Sequence, residues 1–249
     1  MDIGLKGKRA LVTGSTRGIG RAIVEALVAE GAHVAICARD DGAVRRTVAE
    51  LTARGATVIG RAVDVADTAA LRQWVDDASA ELGGLEVFVS NVSVGGGPDK
   101  WQATFDVDVM ATVRGCEAAL PHLEVAGGAI VMVNTTSAVE TFRGPTAYAA
   151  FKAGLLNYAK NLSADVAGRG VRVNSVMPGP VWFPGGAWEG ISTTQPEFYD
   201  SVMASLPMGR MASPDDVANA VVFLVSEAAN YITGTTVVVD GGFTKRVQY

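Results

Sequence analysis

Cysteine and histidine are scarce in this sequence, with two of each among 249 residues: Cys37, Cys116, His33 and His122. None of the four falls in a CxxC or a Cys/His cluster, so the sequence offers no metal site built on thiolate or imidazole. Cysteines this few and this scattered fit a reducing, cytoplasmic compartment. No apolar run reaches membrane-spanning length, and the opening stretch Met1–Arg9 is too short and too mixed in polarity to read as a signal peptide. Positive charge is not in excess either. Lys and Arg number 21 against 26 Asp and Glu, for a formal net charge of −5. Without a basic tract, neither nucleic acid nor an anionic membrane is an expected partner. What is abundant is apolar: 49% hydrophobic residues against 19% charged, a composition that folds around a large core.

The apolar residues fall into two patterns that alternate along the chain. Short continuous runs read as buried strands at Arg9–Thr13, Val34–Cys37, Thr57–Val63, Leu85–Val89, Ala129–Val133, Val171–Val176 and Thr236–Val239. Between them, helical spacing is read over Gly18–Glu30, Asp40–Arg54, Thr68–Leu82, 102–125, Thr146–Ala167 and Pro214–Leu224. Strands that are apolar throughout are covered on both faces, and alternation with helices makes them parallel. The predicted fold is therefore α/β: one doubly wound Rossmann-type domain over residues 1–249, a seven-stranded parallel sheet with helices on both faces. Residues 177–206, rich in proline, glycine and aromatics, read as an excursion from it. In such sheets ligands bind beyond the carboxyl ends of the strands.

The first strand runs into Thr13-Gly14-Ser15-Thr16-Arg17-Gly18-Ile19-Gly20, and a helix follows. Glycines at 14, 18 and 20 permit a tight turn and a close approach of backbone N–H groups to an anion, which the helix N-terminus favours. The spacing is GxxxGxG. It lacks the Lys-Ser/Thr pair of a nucleoside-triphosphate loop. Further on, Tyr148 and Lys152 are four apart in a predicted helix and share a face.

Thr13-Gly14-x-x-x-Gly18-Ile19-Gly20 together with Tyr148-x-x-x-Lys152 resembles the short-chain dehydrogenase/reductase family, in its 3-oxoacyl-reductase-like subgroup. The resemblance covers nearly the whole chain. It takes in Asp64-Val65 after the third strand, Asn174, Pro178-Gly179 after the sixth, and the closing Ile232-Thr-Gly-Thr with Val239-Asp240-Gly-Gly242. It implies a nicotinamide cofactor held by Gly14, Ser15, Thr16, Arg17, Gly18, Ile19 and Gly20. Asp64 and Val65 would meet the adenine, with Asn91, Pro178, Gly179, Val181, Tyr148 and Lys152 along the rest of the cofactor. It also implies a homotetramer, through the stretch after Met211.

The choice between NAD and NADP turns on the end of the second strand. A carboxylate there binds the adenosine ribose hydroxyls of NAD. The matching residue is Ala38, followed by Arg39, and Arg17 lies inside the glycine turn. Two guanidiniums suit a 2′-phosphate, so NADP(H) is the expected cofactor. Asp40 and Asp41 stand next to Arg39, and either turned inward would oppose it.

Tyr148 is the expected acid/base. A phenol near pKa 10 is a weak base at neutral pH, and lowering it by about 3 units takes roughly 4 kcal/mol, which a desolvated Lys152 would help to supply. The family serine, thirteen residues before the tyrosine, is matched by Thr135, with Ser137 as the alternative if the loop is rearranged. The family asparagine is matched, counting on from Trp101, by Asp108. In the family that residue acts partly through its backbone carbonyl, which an aspartate keeps; its carboxylate would attract Lys152 and raise the lysine's pKa. Two further departures are Ser90-Asn-Val-Ser93, where the family has smaller residues beside the cofactor, and Phe183, where it often has a threonine.

Residues 180–206 are the expected substrate lid, with Trp182, Phe183, Trp188, Phe198 and Tyr199 as its aromatics, or as packing at a subunit interface. No Arg or Lys lies between Pro180 and Pro207. The leading expectation is an NADP(H)-dependent reductase or dehydrogenase acting on an apolar carbonyl or alcohol, 3-oxoacyl thioesters included. The alternatives are a dehydratase- or epimerase-type member of the family and a cofactor-binding protein without turnover.

Overall fold

The computed structural model describes residues 2–95, 100–141 and 144–247. Seven parallel strands form one sheet: β1 Arg9–Thr13, β2 His33–Ala38, β3 Val58–Ala62, β4 Val87–Ser90, β5 Gly128–Val133, β6 Val171–Pro178 and β7 Thr236–Val239. Their order across the sheet is β3-β2-β1-β4-β5-β6-β7. The order reverses between β1 and β4, so the crevice beyond their carboxyl ends is the topological switch point.

The continuous apolar runs have a direct structural cause. Successive residues of a strand point to opposite faces, and here both faces are covered. Ala10 and Val12 of β1, Val87 and Val89 of β4, and Val131 of β5 enter a core with helices α1 (Gly18–Ala29) and α9 (Pro214–Val225). Leu11, Phe88 and Ile130 enter the opposite core, against α3 (Thr68–Leu82) and α5 (Ala111–Leu123). Leu11, Phe88 and Ile130 are wholly buried, and burying each such side chain contributes about 1.5–3 kcal/mol.

Helix starts follow side-chain chemistry. Asp40 accepts from Ala43 N–H at 2.9 Å and starts α2 (Asp41–Thr52). Thr146 accepts from Ala149 N–H at 3.2 Å and starts α6 (Ala147–Val166). Ser213 and Asp216 form a capping box on α9. By contrast, α1 begins after Arg17 with no side-chain cap and no acidic residue in its first turn.

The structure corrects the sequence reading in two places. The continuous helix expected over 102–125 is broken in register: α4 (Trp101–Thr104) passes into a π-helical turn, Phe105–Met110, before α5. The stretch 177–206 is more ordered than an excursion. β6 runs on to Pro178, and α7 (Ala187–Thr194) and α8 (Pro196–Ser205) follow. Among the described residues no helix is long and apolar enough to cross a membrane.

Candidate active site

The glycine turn sits at the carboxyl end of β1. Gly14 (φ +63°) and Gly18 (φ +54°) are left-handed, a conformation that side chains other than hydrogen disfavour. Gly20 is needed for another reason: a Cβ there would lie 2.2 Å from the Gly14 carbonyl oxygen and 2.5 Å from Asn91 Nδ2. Asn91 fastens this packing by donating to the Thr13 and Gly14 carbonyls at 3.1 and 3.0 Å. Ser15 faces inward. Its hydroxyl donates to the carbonyls of Val12 and Cys37, and its N–H also goes to Cys37; it shapes the turn from below. The uncapped first turn of α1 leaves N–H groups and the helix dipole aimed at the crevice. Such a cradle fits a pyrophosphate.

Arg17 and Arg39 are both exposed at this end of the sheet. Arg17 donates to the Gly185 carbonyl at 3.3 Å. The two neighbouring carboxylates are engaged elsewhere, Asp40 in capping α2 and Asp41 in an ion pair with Arg45. Both are thereby held by α2 and its side chains rather than by Arg39. Asp64 is exposed and accepts from Ala66 N–H at 3.1 Å; Val65 beside it is buried. Both lie just past β3, on the same rim.

Tyr148 and Lys152 occupy the first two turns of α6. Lys152 is buried and donates from Nζ to the Val133 carbonyl at 3.0 Å. Nζ lies 6.0 Å from the centre of the Tyr148 ring. Asn134 ties the helix to the end of β5, donating to the Lys152 carbonyl at 3.0 Å and accepting from Thr135 N–H at 2.9 Å. Thr135, thereby oriented, hydrogen-bonds the Tyr148 phenol, and it also accepts from Ser137 N–H at 3.2 Å. Thr135 and Ser137 both line the cavity, and Thr135 is the one joined to the tyrosine.

Asp108 comes in from the π-helical turn. Its Oδ1 faces Lys152 Nζ at 3.3 Å, and both side chains are buried. Its Oδ2 accepts from Val94 N–H at 3.0 Å. Its carbonyl accepts from the Thr112 hydroxyl at 2.8 Å, and Thr112 is joined to Ser90 at 2.8 Å. π-helical turns often mark functional sites; this one carries the carboxylate to the lysine.

These contacts set the titration of the pair. Burial pushes the Tyr148 phenol up to about 12; the Thr135 hydrogen bond lowers it and the Asp108 charge raises it. Burial also lowers Lys152, against the raising effect of Asp108. Two expectations are thereby revised. Desolvation of the phenol outweighs the help expected from Lys152, and the net direction for the lysine is down although Asp108 pulls it up.

The pair opens into a cavity of about 640 Å³ beyond the strand ends. Ile19, Asn91, Pro178, Gly179 and Val181 line one side. Trp188, Ile191, Phe198 and Val202 line the lid side. The lid aromatics pack on one another, Trp188 against Phe198 at 6.0 Å and Tyr199 at 6.4 Å. Phe183 leans on the glycine turn, so that a Cβ on Gly18 would meet its ring at 2.6 Å. Val92 does the same at Gly14, at 2.8 Å. Asn134, Val94, Thr112, Glu140 and Phe243 belong to the site although the sequence reading assigned them nothing. Asn134 was legible as the polar residue ending β5, whereas Val94 takes part only through its backbone and left no signal.

The chain is similar to known proteins over nearly its whole length. The family model described as enoyl-(acyl carrier protein) reductase matches residues 14–244. Isoepoxydon dehydrogenase of Penicillium expansum is 37% identical, with 100% of this chain and 99% of that protein covered. The structure of L-sorbose reductase from Gluconobacter frateurii, complexed with NADPH and L-sorbose, superposes with a TM-score of 0.90 at 32% identity, covering 99% of this chain and all of that one. An NADPH-bound short-chain oxidoreductase from Pseudomonas aeruginosa PAO1, containing an atypical catalytic center, superposes with a TM-score of 0.89 at 29% identity, covering 98% and 99%.

Proposed function

The chain belongs to the short-chain dehydrogenase/reductase family, and from that premise we propose that it is an NADP(H)-dependent oxidoreductase interconverting a carbonyl and a secondary alcohol on a largely apolar small molecule. The observation that carries the proposal is the Thr135–Tyr148–Lys152 group at the floor of a cavity flanked by an uncapped helix N-terminus.

Thr135 holds the substrate oxygen with its hydroxyl, Ser137 being the second hydroxyl within the cavity. Tyr148 passes its proton to that oxygen in reduction and takes one back in oxidation. Lys152, held by Val133 and Asp108, fixes the site's charge beneath the phenol. When bound, the nicotinamide supplies or accepts the hydride. Gly14, Thr16, Gly18, Ile19 and Gly20 give its phosphates a close backbone approach, with Ser15 supporting the turn. Arg17 and Arg39 take the 2′-phosphate, a reading supported by the engagement of Asp40 and Asp41 elsewhere. Asp64 and Val65 border the adenine, and Asn91, Pro178, Gly179 and Val181 line the path to the nicotinamide.

The apolar lid wall supports a neutral, ring-bearing or aliphatic substrate, admitted under a lid over residues 180–206 of one domain. We read the assembly as a homotetramer, supported by the exposed aromatics Trp101 and Phe105 and by the half-exposed edge strand β7. Buried free thiols at Cys37 and Cys116 support a cytoplasmic location.

The test is a panel of neutral ketones, ring ketones and 3-oxoacyl thioesters, followed by NADPH consumption with Tyr148→Phe as control. The wild type should turn over apolar ketones, and the variant should lose about 10²–10⁴-fold in kcat. Full activity in the variant would overturn the proposal.

A further inference from the structure

Beneath Tyr148 lies a closed ion pair. Lys152 and Asp108 meet at 3.3 Å with side chains 3% and 0% exposed. The carboxylate is also held at Oδ2, and the residue's backbone at its carbonyl. Val94 N–H binds Oδ2, and the Thr112 hydroxyl, itself joined to Ser90, binds the Asp108 carbonyl. A negative charge fixed this close to a lysine cancels the lysine's field at a neighbouring phenol, and in a buried site little water screens either.

The charged groups facing Tyr148 are few among the described residues. Lys152 comes from its own helix and Asp108 from the π-helical turn. From the segment after β5, Thr135 contributes a hydroxyl and Glu140 a carboxylate whose Oε1 accepts from Lys245 N–H at 3.3 Å. The lid contributes uncharged residues to the cavity wall.

We propose that Asp108 is a positioning residue that keeps the Tyr148–Lys152 pair fully protonated at neutral pH, so that the site is set to give a proton to a carbonyl and works as a reductase. This deepens the oxidoreductase reading and rests on it. In the reductive step the Tyr148 O–H bond breaks as its proton passes to the carbonyl oxygen. The hydride for the new C–H bond would be supplied by a bound reduced nicotinamide, which would be oxidised as the carbonyl carbon is reduced, and a proton from water restores Tyr148. Oxidation of an alcohol needs the pair with one proton removed. With Asp108 in place, that form is pushed to higher pH, since burial chiefly and the Asp108 charge in addition raise the phenol, and Asp108 opposes the lowering of Lys152 by burial.

Asp108→Asn separates charge from shape. The amide keeps an oxygen for Val94 N–H and removes the negative charge, so the first proton should leave the pair at lower pH, whichever partner releases it. The direct test is carbon NMR of the cofactor-free enzyme with labelled tyrosine Cζ and lysine Cε, titrated in wild type and Asp108→Asn, with Tyr148→Phe and Lys152→Met to assign the signals. The first ionisation of the pair should fall by about 1–2 units in the variant. The rising limb of kcat for alcohol oxidation should move down by the same amount, with KM little changed. Superimposed titrations, or a shift upward, overturn the proposal. If Asp108→Asn melts early, Asp108→Ser serves instead. A wild type that turns over no carbonyl or alcohol on the panel sinks the oxidoreductase reading, while the NMR titration still decides whether Asp108 holds the protons.

Discussion

At the scale of single residues, charge placement carries the proposed preference for NADP(H). Arg39 is exposed at the end of β2, and the adjacent carboxylates are tied down by α2 and by Arg45. With Arg39 on the 2′-phosphate as proposed, Arg39→Asp would remove charge-assisted hydrogen bonds worth about 1.5–3 kcal/mol, so the ratio of kcat/KM for NADPH over NADH should fall roughly tenfold to a hundredfold. Steady-state kinetics with both cofactors check this; an unchanged ratio would remove Arg39 from the site. The residues that were legible in the sequence share a property. Gly14, Gly18 and Gly20 fill places that suit glycine alone, through left-handed φ or absence of Cβ, and Tyr148 and Lys152 bring the titrating groups on which the proposed function rests. Val94 and Thr112 do work that many residues could do, a backbone N–H in one case and a hydroxyl in the other, so nothing in their identity announced it. Asp108 was legible as a departure, but its balance with burial was not, because desolvation is a property of the finished fold.

Elements were legible where one period dominated. α3 and β7 carry the predicted bounds because each is apolar on the expected face and ends at a clear signal, Gly83 with φ +80° for α3. The π-helical turn was not, since one extra residue per turn hardly alters apolar spacing over six residues. The lid was not because α7 and α8 bury little: Trp188, Phe198 and Tyr199 pack with Val202, Leu206 and Met211 in a small core of their own. The junction of β6 with the closing segment is the opposite case, with a buried amide at its centre and Arg172 and Thr233 beside it. Asn174 is wholly buried, donates to the Ile232 carbonyl at 2.9 Å and accepts from Thr235 N–H at 3.1 Å. Asn174→Ala leaves the Thr235 N–H unpaired, at about 1–3 kcal/mol, and leaves the Ile232 carbonyl with the longer bond from Arg172 at 3.3 Å. Tm should drop by several degrees, at about 2–4 °C per kcal/mol for a chain of this size; a melt unchanged from wild type would show that water replaces the amide at no cost.

At the scale of the whole molecule, the two faces of the sheet bury acids as well as hydrocarbon. Burial raises the thiols of Cys37 and Cys116 from 9.0 to about 12, and the phenol of Tyr148 from 10.0 to about 12; Tyr158, hydrogen-bonded to Cys116, is raised as well. The unfolded chain releases these protons near their ordinary values, while the folded chain retains them. Between about pH 9 and pH 12 the unfolded state therefore binds fewer protons, and stability falls as pH rises. Each group contributes stability that is intact below pH 9 and lost by the time the folded pKa is passed. The expectation is a urea midpoint that declines steeply across that window with far-ultraviolet structure as the probe. The cysteines account for the first part of the decline, since their unfolded values are the lowest of the four. Cys37→Ala with Cys116→Ala removes them at the cost of two small cavities, which lower the midpoint at every pH but do not titrate. The double variant should thus start lower at pH 8 and decline less from pH 9 onward. A wild type whose midpoint stays level through pH 11, or a double variant with the same slope, would mean that the two thiols meet water in the folded protein, and that the sheet is less closed around β2 and α5 than their complete burial indicates.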